Sequence, residues 1–477
     1  MKKIKLITIL TLSLVLVNCS DYDFGDINVD PNNPSSANPE ALMNNAIVAS
    51  RGYFTTNPTL YIQYLSQTQY TEASLYQQSP ANFGGIYTNA LNELQSAIKL
   101  NEDDATKEAV KSFGSNTNQI GVLEIYKAFI FAKITDVWGD VPYSESLDKD
   151  NISPKYDTQE VIYKGLIEKL KTHGNALDAG QPALKDLLFN GNIAKWKKFA
   201  NSLRMIYALR LSKKFPAAAG YAATEFKAAF QDAAGYIATN ADNATFATNT
   251  QYKNPWQGVF DTRKDFAPSN TFVDKLNSLN DKRLEYFATK TSTAGNYVGV
   301  PYGLDRVKTL NFVDNNEYSL FGTELHKNDS PVKHITAAQV NFAIAEAITM
   351  TWITGNAATF YNNAIKESYL DSGLSDIDYN TYVSGAGVVY DPTKAVEMIA
   401  TQRWIALFPN GLEAWNSWRR TGFPALTPAV DALNGGRIPT RYLYPADEAN
   451  LNKSNLEAAI NLLNGGDEGT SRFWWAN

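Results

Sequence analysis

The residues of this chain whose types and spacing could do chemistry are aromatic side chains set among Asn, Asp, Gly and Pro. Thirteen aromatics fall between Phe246 and Phe321, several in loop-like surroundings such as Asn254-Pro255-Trp256, Gly295-Asn296-Tyr297 and Pro301-Tyr302-Gly303. The chemistry they suit is recognition. A flat apolar ring covers the C–H face of a pyranose while neighbouring Asn, Asp and Arg hydrogen-bond its hydroxyls, and peptides can use the same kit. Trp256, Tyr297, Tyr302, Tyr318 and Phe321 are therefore the candidate ligand-binding residues. Tyr76, with Tyr70 and Tyr87 in the Gln/Tyr/Ser-rich run from Gln63 to Tyr87, is a candidate rim. Stacking contacts are worth on the order of 1 kcal/mol each, so micromolar or weaker affinity is expected.

Catalytic constellations are harder to find. The three histidines, His173, His326 and His334, show no metal-ligand spacing, so neither a metal nor a cofactor is expected. No Gly-x-Ser-x-Gly elbow, phosphate-binding glycine loop or dinucleotide fingerprint occurs. Asp26 to Pro34 carries alternating oxygens like a calcium loop, but Pro31 stands where the loop needs Gly and Ala37 where it needs Glu. A pair of carboxylates for glycoside hydrolysis has no sequence pattern, so a helical glycoside hydrolase stays open as the alternative from another class of function. Lys+Arg 43 against Asp+Glu 49 gives a net charge of −6 with no basic run, which disfavours nucleic acid.

The elements that must position these residues are mainly helical. Residues 1–18 read as a signal peptide: Lys2, Lys3 and Lys5 precede an apolar run from Leu6 to Val17, too short to span a bilayer. Their removal leaves 40 basic against 49 acidic side chains, a net charge of −9. The run ends at Cys19, the single cysteine, which resembles the acylated residue of a bacterial lipobox; more than one acyl chain would anchor the protein stably. Residues 19–38 read as a Pro/Asn-rich tether and 39–477 as one domain. From Pro39 to about Phe230 the apolar period is helical. Asp157-Thr158-Gln159-Glu160 reads as a capping-box variant, Asn192 as a candidate cap, and Thr336 to Gln339 as a second capping box. Between 240 and 335 the periodicity weakens, except near Thr271 to Phe287, and this loop-rich part is the expected ligand-binding region.

One stretch orders the rest: Gln402-Arg403-Trp404-Ile405-Ala406-Leu407-Phe408-Pro409-Asn410-Gly411-Leu412-Glu413-Ala414-Trp415-Asn416-Ser417-Trp418-Arg419-Arg420-Thr421-Gly422-Phe423-Pro424. Its residues read as a rigid helix corner with arginine stems packed on indoles, Pro409 in the first turn of the second helix and Gly422 as its stop. It also resembles the C-terminal signature of the SusD/RagB-like nutrient-binding outer-membrane lipoproteins. So do Thr135-Asp136-Val137-Trp138-Gly139-Asp140-Val141-Pro142-Tyr143 and the tether, the corner Asp281-Lys282-Arg283-Leu284 (Lys282 where the family has Pro), and the closing Phe473-Trp474-Trp475. The resemblance covers nearly the whole mature chain. It implies a mainly α, SusD-like fold with tetratricopeptide-like helix pairs as scaffold. It also implies a surface-exposed outer-membrane lipoprotein that binds oligo- or polysaccharide and passes it to a SusC-like TonB-dependent transporter, without catalysis. Within the family a RagB-like member would carry peptide. No ligand-binding residue carries over by motif, because members diverge there.

Overall fold

Short polar side chains set where the helices begin. The computed structural model describes residues 38–476; the signal segment, Cys19 and the Asp26 to Pro34 stretch lie outside them. The main helices are α1 (Pro39–Ser50), α2 (Asn57–Tyr61), α3 (Asn92–Glu102), α4 (Asn116–Trp138), α5 (Gln159–Ala176), α6 (Ile193–Arg210) and α7 (Tyr221–Phe230). After them come α8 (Pro255–Phe260), α9 (Asn270–Ser278), α10 (Arg306–Asn315), α11 (Ala337–Thr349) and α12 (Ala357–Asp371). The series closes with α13 (Asp376–Val383), α14 (Ala395–Ala406), α15 (Gly411–Thr421) and α16 (Lys453–Leu462). Thr158 caps α5 by accepting from Val161 N–H, and Asn192 caps α6 by accepting from Lys195 N–H. Thr336 caps α11 by accepting from Gln339 N–H, but only half of the expected box forms. The Gln339 side chain turns away and donates to Glu413 Oε2 (2.9 Å).

Consecutive helices pack pairwise: α4 on α5, α6 on α7, α11 on α12, α14 on α15. α4 is apolar and buried around most of its circumference, the mark of a central helix. It is flanked by α3, α5 and α6, and α11 holds a similar place between α6, α12 and α14. Short antiparallel pairs join the loops to this scaffold: β1 (Leu65–Gln67) with β5 (Phe266–Pro268), β2 (Val141–Pro142) with β3 (Tyr156–Asp157), and β4 (Ala244–Phe246) with β6 (Val332–Ile335). The described residues from Pro39 onward form one compact unit. Among them, no helix is long and apolar enough to cross a membrane, and no cluster of His, Cys, Asp and Glu is arranged to hold a metal.

The α14–α15 corner is buried, with Trp404 and Trp415 in the core and Arg403, Arg419 and Arg420 ion-paired or hydrogen-bonded inside. Glu346 of α11 accepts from Arg403 Nη2 (2.8 Å) and Arg420 Nη2 (2.7 Å). Arg210 of α6 bridges Asp136 of α4 and Glu413 of α15. Such charges withstand desolvation because each is ion-paired or, for Arg419, hydrogen-bonded to the Thr440 carbonyl (2.8 Å) and stacked on Trp415. Pro409 does not enter α15: it precedes Asn410, whose side chain caps the helix by accepting from Glu413 N–H. Gly422 stops α15 at φ 78°, a left-handed value suited to glycine. The periodicity expected from Thr271 to Phe287 is split at Asn280 (φ 52°), where α9 ends and Arg283 turns in to grip Asp281. The closing Phe473 and Trp475 dock into the core.

Candidate functional site

The site is assembled at the C-terminal end of α4. Trp138 closes that helix, and Gly139 (φ 99°) lets the chain turn away where a Cβ would press on the Phe473 ring at 3.3 Å. The distant segment 441–443 is laced to this end: Tyr442 N–H donates to the Val137 carbonyl (2.8 Å) and Trp138 Nε1–H to the Leu443 carbonyl (3.0 Å). Arg441 reaches back to the Trp138 carbonyl through Nε (3.2 Å) and Nη2 (3.1 Å). The result is a ring cluster. Tyr442 stands edge-on to Trp138 (5.7 Å), Phe54 (6.4 Å) and Tyr61 (6.2 Å), and Tyr61 meets Tyr76 at 6.4 Å.

Two adjoining hollows lie over this cluster and share Asn57, Ala81 and Tyr442. Their walls come from residues 52–57, 73–89, 439–443 and Gly469. Phe54 (φ 65°) and Tyr76 (φ 66°) are held in the left-handed region that bulky residues seldom adopt, strain of the kind that collects at binding sites. Amides supply the polar rim: Asn57, Gln77, Gln78, Asn82 and Asn89. Among the described lining residues the single charged side chain is Arg441, which is committed to Trp138 and Asp467; none is Asp or Glu. Burial lifts the Tyr61 and Tyr442 phenols far above their ordinary range, so both stay neutral at any working pH. The groove can stack and hydrogen-bond a neutral molecule.

The residues singled out from sequence do not form one surface. Tyr76 borders the groove but is fully buried, its Oη accepting from Ala429 N–H (3.0 Å). Trp256 is 8% exposed on α8 and stacks on Phe321 (5.0 Å), which is itself buried against Phe408. Tyr302 is 8% exposed, its hydroxyl donating to the Leu60 carbonyl (2.7 Å). Rings so enclosed offer little face to a sugar; the same holds for Tyr61, Tyr76 and Trp138 beneath the groove, where Phe54 and Tyr442 are the half-buried rings. Tyr297 and Tyr318 are half-buried and flank the contact between Ser319 and Val298. Tyr70 is 52% exposed under the Arg263 guanidinium (5.1 Å), and Tyr87 donates to the Pro142 carbonyl. Phe54, Asn57 and Tyr442 were missed. Their segments are far apart in the chain, and the signal that could have flagged them is faint: aromatics beside short polar runs, as in Tyr53-Phe54-Thr55-Thr56-Asn57.

Comparison with known proteins follows the same outline. A solved structure described as a chitin-binding protein is 28% identical, with a TM-score of 0.81 over 92% of this chain and 100% of that one. A SusD homolog from Bacteroides uniformis is 25% identical with a TM-score of 0.76, over 92% and 99% of the two chains. A chitin-binding SusD homolog from Flavobacterium johnsoniae shares the fold at 22% identity, with a TM-score of 0.77 over 92% and 97%. No curated protein matches at the sequence level. The family model described as starch-binding associating with outer membrane matches residues 31–445, and by that span the chain belongs to the SusD-like family.

Proposed function

We propose that this protein is a surface-exposed lipoprotein of the outer membrane, anchored through Cys19, that binds a neutral oligo- or polysaccharide in the groove around Tyr442. It then delivers that cargo to a SusC-like TonB-dependent transporter. The observation that carries the reading is the composition of the groove: an aromatic floor, an amide rim and no free charge. Neutral sugars need this combination, since ring faces meet C–H surfaces and amides exchange hydrogen bonds with hydroxyls. The 28%-identical chitin-binding structure puts N-acetylglucosamine oligomers first among cargoes to try. The reading is binding and not catalysis, because the paired carboxylates of a glycoside hydrolase have no seat among the described groove residues.

The experiment is a calorimetric panel on the full-length protein in detergent, with chitin, glucan, mannan and xylan oligomers, an anionic uronate oligomer and a peptide mixture. Saturable binding confined to neutral glycans is expected. Heat from peptides alone would move the protein to the RagB-like reading. Release of reducing ends from any glycan would overturn the binding-only reading.

A further inference from the structure

A second cavity lies on the other side of the Tyr53–Thr55 wall. Trp256, Phe287, Leu325, Leu407 and Phe408 make its walls apolar, while Pro331, Asp371 and Ser372 lie nearer solvent. Its polar groups differ in kind from those of the groove. Lys133 of α4 lines it, with its ammonium 4.4 Å over the Phe129 ring. Among the described residues that ammonium makes neither a hydrogen bond nor an ion pair. The carboxylate acting on it, Glu413, is already held by Arg210 (2.7 Å) and Gln339 (2.9 Å). In the same wall the Tyr53 hydroxyl is buried and has no partner among the described residues.

The other charged groups facing the cavity all make hydrogen bonds, although Arg51 has no carboxylate partner. Arg51 donates to the Lys253 carbonyl (3.1 Å) and the Val48 carbonyl, and Lys333 pairs with Asp371 (2.6 Å). His334 of β6 is kept neutral by burial and by Lys133 itself, with its Nε2 3.5 Å from Tyr126 Oη. Tyr126 in turn shares a hydrogen bond with Ser50 (2.7 Å). Two cations without a carboxylate partner, Lys133 and Arg51, thus line a cavity of mixed polar and apolar walls, and of the two only the Lys133 ammonium makes no hydrogen bond. Lys133 is half-buried, and a partly desolvated ammonium without a hydrogen-bonded counterion gains from a bound anion. A phosphate calls for a free guanidinium fork or several free cationic donors; with Arg51 Nε and Nη1 already donating to carbonyls, the donors left unused are the Lys133 ammonium and the Tyr53 hydroxyl, which match a single carboxylate.

We propose that this cavity is a second ligand site, selective for a small molecule with an apolar body and one carboxylate, in which Lys133 supplies the countercharge and Tyr53 a hydrogen-bond donor. The chain then has a neutral groove and a cationic chamber separated by one wall, so the two sites take ligands of different charge.

The test compares phenylacetate with its neutral isostere phenylacetamide by calorimetry on the full-length protein. Phenylacetate is expected to bind saturably and the amide at least tenfold more weakly. Burial brings the Lys133 amine down to about 8, so phenylacetate affinity is full below that pH and falls as pH rises through it, as the charge is lost. Lys133→Met should erase the preference for the acid, and Tyr53→Phe should weaken the acid several-fold. Equal binding of the two probes to the parent protein, or no saturable binding of either, overturns the proposal. So does a Lys133→Met variant that keeps the preference. If that variant does not fold by circular dichroism, the pH profile of the parent decides, and a flat profile from pH 6.5 to 9.5 sinks the assignment.

Discussion

Glu346 shows how single residues hold this structure together. Burial alone would raise its carboxyl, but Arg420 and Arg403 outweigh it and hold the group at about 2, below the ordinary 4.5. A carboxyl lowered on folding contributes stability above its unfolded value, and that stability is lost as pH falls toward the folded one. Glu346→Gln should therefore cost roughly 3–5 kcal/mol at pH 7, the range for a broken buried pair, and should flatten the loss of stability between pH 4.5 and 2. Denaturant unfolding across that range checks both. Tyr302→Phe separates packing from binding: losing the bond to Leu60 should cost about 1 kcal/mol of stability and leave glycan affinity unchanged. At this scale the sequence was partly legible. Trp404, Trp415 and the arginines read as a packed corner because helical spacing reports burial directly. Tyr302 between Pro301 and Gly303 reads as a loop tip, but its hydroxyl reaches a carbonyl 242 positions away, and local context carries no trace of that.

Elements set the walls of the groove. Gly411 opens α15 where a Cβ would fall 2.5 Å from Thr59 N, so α15 and α2 touch backbone to backbone. Gly411→Ala must push α2 aside. Overpacking of this kind costs about 1–3 kcal/mol, and because the rim amide Asn57 rides on α2 the variant should also bind glycan less well, read from urea midpoints and titration together. Helices were the most legible feature, since period and cap act within a few residues. The departures have local causes too: Gln339 left its capping box for Glu413, and Asn280 adopted a left-handed turn that broke an otherwise continuous period.

The whole molecule brings together what the chain separates. Residues 52–57, 73–89, 439–443 and 469 meet over Trp138, so the groove exists only after folding. The family was legible because its signature is contiguous; the site was not, because its walls are scattered. The net charge of −6 acts across the surface, whereas the groove itself is free of unpaired charge. Binding of a neutral glycan should therefore hardly change between 50 and 500 mM salt, roughly the range over which exposed charges become screened.

The central claim is that this aromatic, uncharged groove captures a neutral glycan. Its most direct test is a calorimetric titration with chitin oligomers of the parent protein and of the double variant Phe54→Ala/Tyr442→Ala. At about 1 kcal/mol per ring, the double variant should bind at least tenfold more weakly at every salt concentration. Undiminished affinity in the double variant would place the glycan elsewhere on the molecule and contradict the account.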